Sequence, residues 1–402
     1  MHVVRLFRSM LVQSCLAFGC ADKLKILSSH YDSAIKHIRS GIKIMSEVYC
    51  DPRSGTFCHP FLRSSTVTAL EMDSLRKMLV RLQDQAMTLT REEVDMQLSQ
   101  SVPISEIDIG IPEVFRSIGE ARDIFEFYRC KAGRQFRALD TADPDNFTDL
   151  IHHYSRLIEK LAVSLNNFER TRGPLLTARD KTGLTVIRIY QKMQYIILEY
   201  GKLGVSDQRS WDNYNSIFEE IVMLAASVVD SAQGIDCLSL SPSQLAELSQ
   251  NGRLKPSFSL DMGVIAPVYN VATLCRDPVI RRKALTVLRS MSRQEGVFNS
   301  HACALVAEQA IAIEERMAAG MALNYQDERS LLKLLPGTRP SWQSETAEIT
   351  HSDEVPDSAR LTYIHPTLKI ADKNVCLTIG QPGKHMDIPV PALTAMLDLV
   401  TL

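Results

Sequence analysis

The chain has 402 residues, 45 basic and 47 acidic, with 45% hydrophobic and 23% charged side chains. That is the composition of a globular protein with enough chain for one large or two medium domains. A formal charge of -2 lacks the basic excess with which a domain grips a DNA backbone, and no run approaches the roughly 18 apolar residues of a membrane span.

Helical periodicity then dominates in chain order. The first twenty residues carry Arg5 and Arg8 before any acid, as a targeting sequence would, but Leu6, Met10, Gln13, Ala17 and Cys20 line one side, with Gln13 and Ser14 breaking the apolar run, and read as a buried helix. Ile35, Ile38, Ile42 and Met45 form a stripe, followed by Val114, Ile118, Ala121, Phe125 and Tyr128. Tyr154, Leu157, Leu161, Leu165 and Phe168 predict a third helix, and Val186, Tyr190, Met193, Ile197 and Tyr200 a fourth. Residues 216–229 are apolar nearly all round, which predicts a central helix. Val268, Val271, Ala272 and Cys275 share one face of the next helix. A tight Arg276-Asp277-Pro278 corner follows, with Asp277 as cap and Pro278 at the first helical position, where no amide donor is needed. Ile280, Ala284, Val287 and Met291 stripe the partner helix, so 264–275 and 278–291 read as an αα-hairpin. Ala302, Val306, Ala310, Ile313 and Met317 close the series after a Ser300 cap.

Clusters of Gly, Pro, Ser and Asp place loops at 51–60, 99–112, 140–146, 171–183, 201–210 and 234–257. Residues 336–358, rich in Pro, Ser, Thr and Glu, read as a flexible linker. Beyond it Leu361, Tyr363, Leu368 and Ile370, then Val375, Leu377 and Ile379, alternate around an Asp372-Lys373-Asn374 turn. The expected fold is all-α: an irregular array of antiparallel helix pairs, tetratricopeptide-like in places, with a small C-terminal β-hairpin. The expected organisation is a helical domain over 1–335, the linker over 336–358 and the hairpin appendage over 359–390, with strand confined mainly to 360–380.

Motifs that carry chemistry are few. Nine scattered cysteines, several within apolar stripes, suit a reducing, intracellular setting better than a disulfide framework. Asp212-Asn213-x-x-Ser216-x-x-x-Glu220 places three oxygen ligands on one helix face, as a Mg-dependent terpene cyclase would, with Asp145-Asn146-x-x-Asp149 as the second motif. Both also read as helix starts, with Asp212 and Asp145 or Asn146 as caps, and the two lie closer in sequence than that enzyme class places them. His152 and His153 point apart on a helix and read as surface or interface residues. Arg281, Arg282, Lys283, Arg289 and Arg293 form the densest basic group; a solvated face paired with Asp277 and Glu295 is the plainer reading, a partner-binding or import surface the sharper one. Asp261, in an apolar setting before a helix, calls for backbone N–H donors or a guanidinium from Arg276, Arg281 or Arg282. No catalytic, cofactor-binding or metal-ligating residue is assigned, and no enzymatic activity is expected.

The wording of 258–298, from Phe258-Ser259-x-Asp261-Met262-Gly263 to Cys275-Arg276-Asp277-Pro278-x-x-Arg281-Arg282, resembles the C-terminal half of the regulatory region of fungal six-cysteine zinc binuclear-cluster transcription factors. Tyr31 to Ile44, Ala69 to Gln85 and Phe115 to Asp123 resemble its earlier helices, so the likeness covers most of the chain. It implies an all-α regulatory domain of a filamentous fungus, tied to a secondary-metabolite gene cluster, nuclear (otherwise cytoplasmic), working through a protein partner of the transcription machinery or a related regulator. Phe258, Asp261, Gly263, Cys275, Arg276, Asp277, Pro278, Arg281 and Arg282 are its motif residues. The zinc cluster needs paired Cys-x-x-Cys ligands, and none occurs. Direct sequence-specific DNA binding is therefore not expected; the chain reads as a truncated form or a cofactor-like relative. A helical scaffold outside transcription is the rival reading.

Overall fold

A computed structural model describes residues 40–41, 78–79, 109–138, 144–203, 207–259, 261, 263–296, 298–320, 349–369, 374–381 and 384–389. The first twenty residues, and all but two residues in each of the stretches 31–44 and 69–85, lie outside them. The described part is mainly helical: α1 (Ile118–Ala138), α2 (Pro144–Arg172), α3 (Ala178–Lys202), α4 (Asn215–Gln233), α5 (Pro242–Gln250), α6 (Ile265–Leu274), α7 (Pro278–Arg289) and α8 (Ser300–Ala318). Two small sheets accompany them. In the first, β1 (Pro256–Ser259) runs parallel to β2 (Ser292–Glu295), which pairs antiparallel with β3 (Phe298–Asn299). The second is an antiparallel meander of β4 (Tyr363–Lys369), β5 (Asn374–Gln381) and β6 (Lys384–Pro389).

Two apolar cores hold the helices. Phe115, Phe125, Tyr128, Tyr154, Leu161, Leu165 and Phe168 bring α1 and α2 onto α3 in one of them. The larger gathers α3, α4, α6, α7 and α8 around Phe218, Ile221, Val222, Val268, Val271 and Leu288. Helix α3 serves both, giving Leu184 and Ile187 to the first and Ile189, Met193 and Ile196 to the second. This corrects the single stripe predicted there: a helix between two cores buries two faces, and Ile197 is left 38% exposed. Start and stop signals follow ordinary capping chemistry. Thr177 and Asp180 form a capping box at α3, inside a stretch read as loop. Gly234, with φ 73°, ends α4 in the left-handed conformation that favours glycine.

The α6–α7 pair has the predicted boundaries within a residue or two. Val268, Val271, Ala272 and Cys275 are all fully buried, and Ile280, Ala284, Val287 and Met291 face the same core. Asp277 Oδ1 accepts from Val279 N and Ile280 N, both at 2.9 Å, and Pro278 opens α7. Asp277→Ala is expected to cost about 1 kcal/mol through the lost cap; an unchanged melting temperature in that variant would show that other contacts hold the corner.

Several expectations need correction. The cap of α8 is Asn299, whose Oδ1 accepts from His301 N and Ala302 N. Ser300 instead donates to Met291 O at 3.0 Å and accepts from Arg293 N at 3.2 Å, so its hydroxyl ties the helix start to β2. The stretches 201–210 and 234–257 contain a 3₁₀ helix from Gln208 onward, another over Cys237–Ser239, and α5. The C-terminal sheet has a third strand, and β1–β3 add strand outside 360–380; strands of two to four residues are too short to show a period. Of the stretch read as a linker, residues 349–358 are described: Ser352–Glu354 form a 3₁₀ turn, a second over Asp357–Ala359 follows, and Val355 is buried, as are Ala359 and Leu361 just beyond it.

Candidate functional site

The entrance to α6 is built around Glu295. Its Oε1 accepts from Val264 N at 3.0 Å and its Oε2 from Ile265 N at 2.9 Å, capping the helix from a distant strand. Arg293 Nε reaches Oε1 at 2.5 Å. Burial raises the Glu295 pKa, opposed by the Arg293 charge and the two backbone donors. Gly263 makes room for this carboxylate: a Cβ there would sit 1.8 Å from Glu295 Oε1.

Asp261 does not take that role. Its side chain is 50% exposed and meets Arg122 Nη1 at 3.3 Å. The guanidinium groups expected beside it are engaged elsewhere. Arg276 donates to Glu314 Oε1 through Nε (3.2 Å) and Nη2 (2.8 Å), and Arg281 Nη2 to Glu314 Oε2 at 2.7 Å. All three side chains are at most 1% exposed. Burial opposes ionisation of Glu314, but the two arginines and the Leu361 N–H (2.8 Å) outweigh it and hold its carboxyl below the usual range. Arg282 pairs with Glu315, Lys283 with Glu219, Arg289 with Glu308. The four basic residues of α7 are thus tied to acids on α8 and α4, with Arg281 fully inside, while Arg293 pairs with Glu295 within β2.

The same network fastens the segment 349–361. Arg360, fully buried, forks onto Asp212 (Nη1–Oδ1 2.9 Å, Nη2–Oδ2 2.7 Å) and donates to the carbonyls of Val355, Gln208 and Ser352. Asp357 Oδ1 accepts from Gln208 N at 3.1 Å. Asp212, first ligand of the magnesium-like motif, is therefore held by an arginine, and it lies within the 3₁₀ turn preceding α4 rather than at its cap. Glu220 pairs with Lys192, while Ser216, Asp145 and Asp149 are exposed. Among the described residues, no three His, Cys, Asp or Glu side chains group as a metal site requires.

A cleft of about 510 Å³ opens between the starts of α1 and α3, the end of α4, and the β1–α6 connection with β2. Ile118, Val186, Val228, Val264 and Met291 give it apolar walls; Arg122, Arg179, Asp261, Arg293 and Glu295 supply charge. Of the predicted motif residues, Asp261 and Gly263 reach this cleft, and Phe258 lies in β1 opposite Gln294. Cys275, Arg276, Asp277, Pro278, Arg281 and Arg282 belong to the core and its buried charges. Burial pushes the Cys275 thiol up to about 12, as it does those of Cys237 and Cys303, so these cysteines stay protonated.

Sequence reasoning named Glu295 as an ion-pair partner of the basic group, as it is for Arg293, but missed its cap on α6, and it missed Glu314, Arg360 and Arg122. Glu314 had a signal: it stands four residues after Ala310 on the predicted apolar stripe, where an acid demands a partner. Arg360 had none, since its partners are 148 residues or more away or carbonyls of its own segment. Among the described residues no helix is long and apolar enough to cross a membrane. Comparison with protein-family models, with curated proteins and with solved structures finds no match to this chain.

Proposed function

We propose that the chain is a transcription-regulator-like protein of a filamentous fungus, possessing no chemistry of its own and working through contacts with a protein of the transcription machinery or a related regulator, in the nucleus. The observation that carries this reading is the 258–298 block, the stretch most similar to the regulatory region of fungal zinc binuclear-cluster factors. Its residues support a scaffold role: Asp277 caps α7, Gly263 accommodates Glu295, and Arg276 and Arg281 hold Glu314. In this reading the helix pairs, arranged in tetratricopeptide-like fashion, offer a surface to the partner, and a tie to a secondary-metabolite gene cluster follows from the same likeness.

Tethering the full chain to an unrelated DNA-binding domain upstream of a reporter in a filamentous fungus should change transcription of that reporter. No change, with the untethered chain absent from nuclei, would overturn the proposal in favour of a scaffold outside transcription. The purified chain itself should shift duplex DNA weakly and without sequence preference, given its charge of -2. A salt-resistant, sequence-selective shift would contradict the partner-dependent mechanism.

A further inference from the structure

We propose that the cleft between α1, α3, α4 and β2 is a binding site for a small amphipathic monocarboxylic acid, its carboxylate on Arg122 and its apolar body against Val186, Val228 and Val264. The volume, about 510 Å³, lies in the range of small-molecule sites, and the walls combine apolar surface with a few charges. Arg122 supplies the specific signal. Its guanidinium is loosely held, by Asp261 at 3.3 Å and Asp123 at 3.4 Å, and its Nε–H is buried without an acceptor. A buried donor without a partner costs free energy that an incoming acceptor would recover. The planar fork of a guanidinium matches a planar carboxylate.

The other charges of the cleft favour the same choice. Asp180 is closed into the capping box with Thr177, and Glu295 is taken by Arg293 and the α6 entrance. Arg179, exposed at the rim, has no ion-pair partner among the described residues and adds a second cation. A dianion such as a phosphate monoester would meet Asp261 and Asp123 beside a single fork, so a monoanion fits better. The inference stands apart from the regulatory reading, because it is tested on the purified chain with no gene in the assay.

Isothermal titration of the full chain with decanoate should show one site, with decan-1-ol, equal in apolar length but uncharged, binding at least about tenfold more weakly. Arg122→Ala should weaken decanoate about tenfold, and Arg122→Lys less, since it keeps charge without the fork. Asp261→Asn should tighten decanoate severalfold by removing the competing carboxylate. Ser231→Trp, at an exposed position of the wall, should fill the cleft and remove binding. Circular dichroism melts establish that each variant is folded. Failure of decanoate to bind, equal affinity for decanol, or undiminished affinity in folded Arg122→Ala or Ser231→Trp would overturn the assignment.

Discussion

Glu314→Gln is expected to destabilise the chain by about 3–5 kcal/mol, the cost of removing one partner of a buried ion cluster. Arg276 and Arg281 would keep their charges in a site closed to solvent with no carboxylate to balance them, and the Leu361 amide would lose its charged acceptor. Denaturant melts should show the loss, and proteolysis should open the segment 349–361 first. The pH dependence has a definite sign. The folded carboxyl lies below its unfolded value of about 4.3, so its stabilisation is complete above that pH and fades as pH falls through the folded pKa. The gap between wild type and Glu314→Gln should therefore shrink in acid. A gap of under about 1 kcal/mol at neutral pH would mean the cluster contributes specificity rather than stability.

Gly263→Ala should have the next largest effect. Its new methyl group would displace the Glu295 carboxylate from Val264 N and Ile265 N, removing the α6 cap and leaving a buried acid poorly paired. A lost cap and an unsatisfied buried group together cost about 2–4 kcal/mol. The double variant Gly263→Ala with Glu295→Ala separates this cause from any intrinsic cost of alanine: once the carboxylate is gone, the methyl group should add little. Additive losses in the two single variants would mean that Gly263 and Glu295 act independently.

The site was legible in part. Asp261 and Gly263 stand out in the sequence as neighbours of a helix entrance, yet the acid that caps this entrance lies some thirty residues on, in β2. Local sequence names a need for an acceptor and not its supplier. Arg281 and Arg282 look alike in a basic run; one is fully buried on Glu314 and the other is half-exposed on Glu315, a difference set by which side of α7 meets α8.

What the sequence by itself determined is whatever depends on neighbours within about a turn or two: helix identity, the α6–α7 corner with its Asp277 cap and Pro278 start, and the stripe of α2, whereas α4, read as apolar nearly all round, leaves Met223 49% exposed. Apolar spacing and capping chemistry are local, and tertiary packing had only to agree with them. Only the tertiary structure decided that α3 serves two cores, that Glu295 caps α6, and that Arg360 and Glu314 draw the segment 349–361 onto the helices. The Glu295, Glu314 and Arg360 contacts join residues about 30 to 150 positions apart. Charges removed from water must find partners wherever the fold brings them, and no local pattern records which ones will meet.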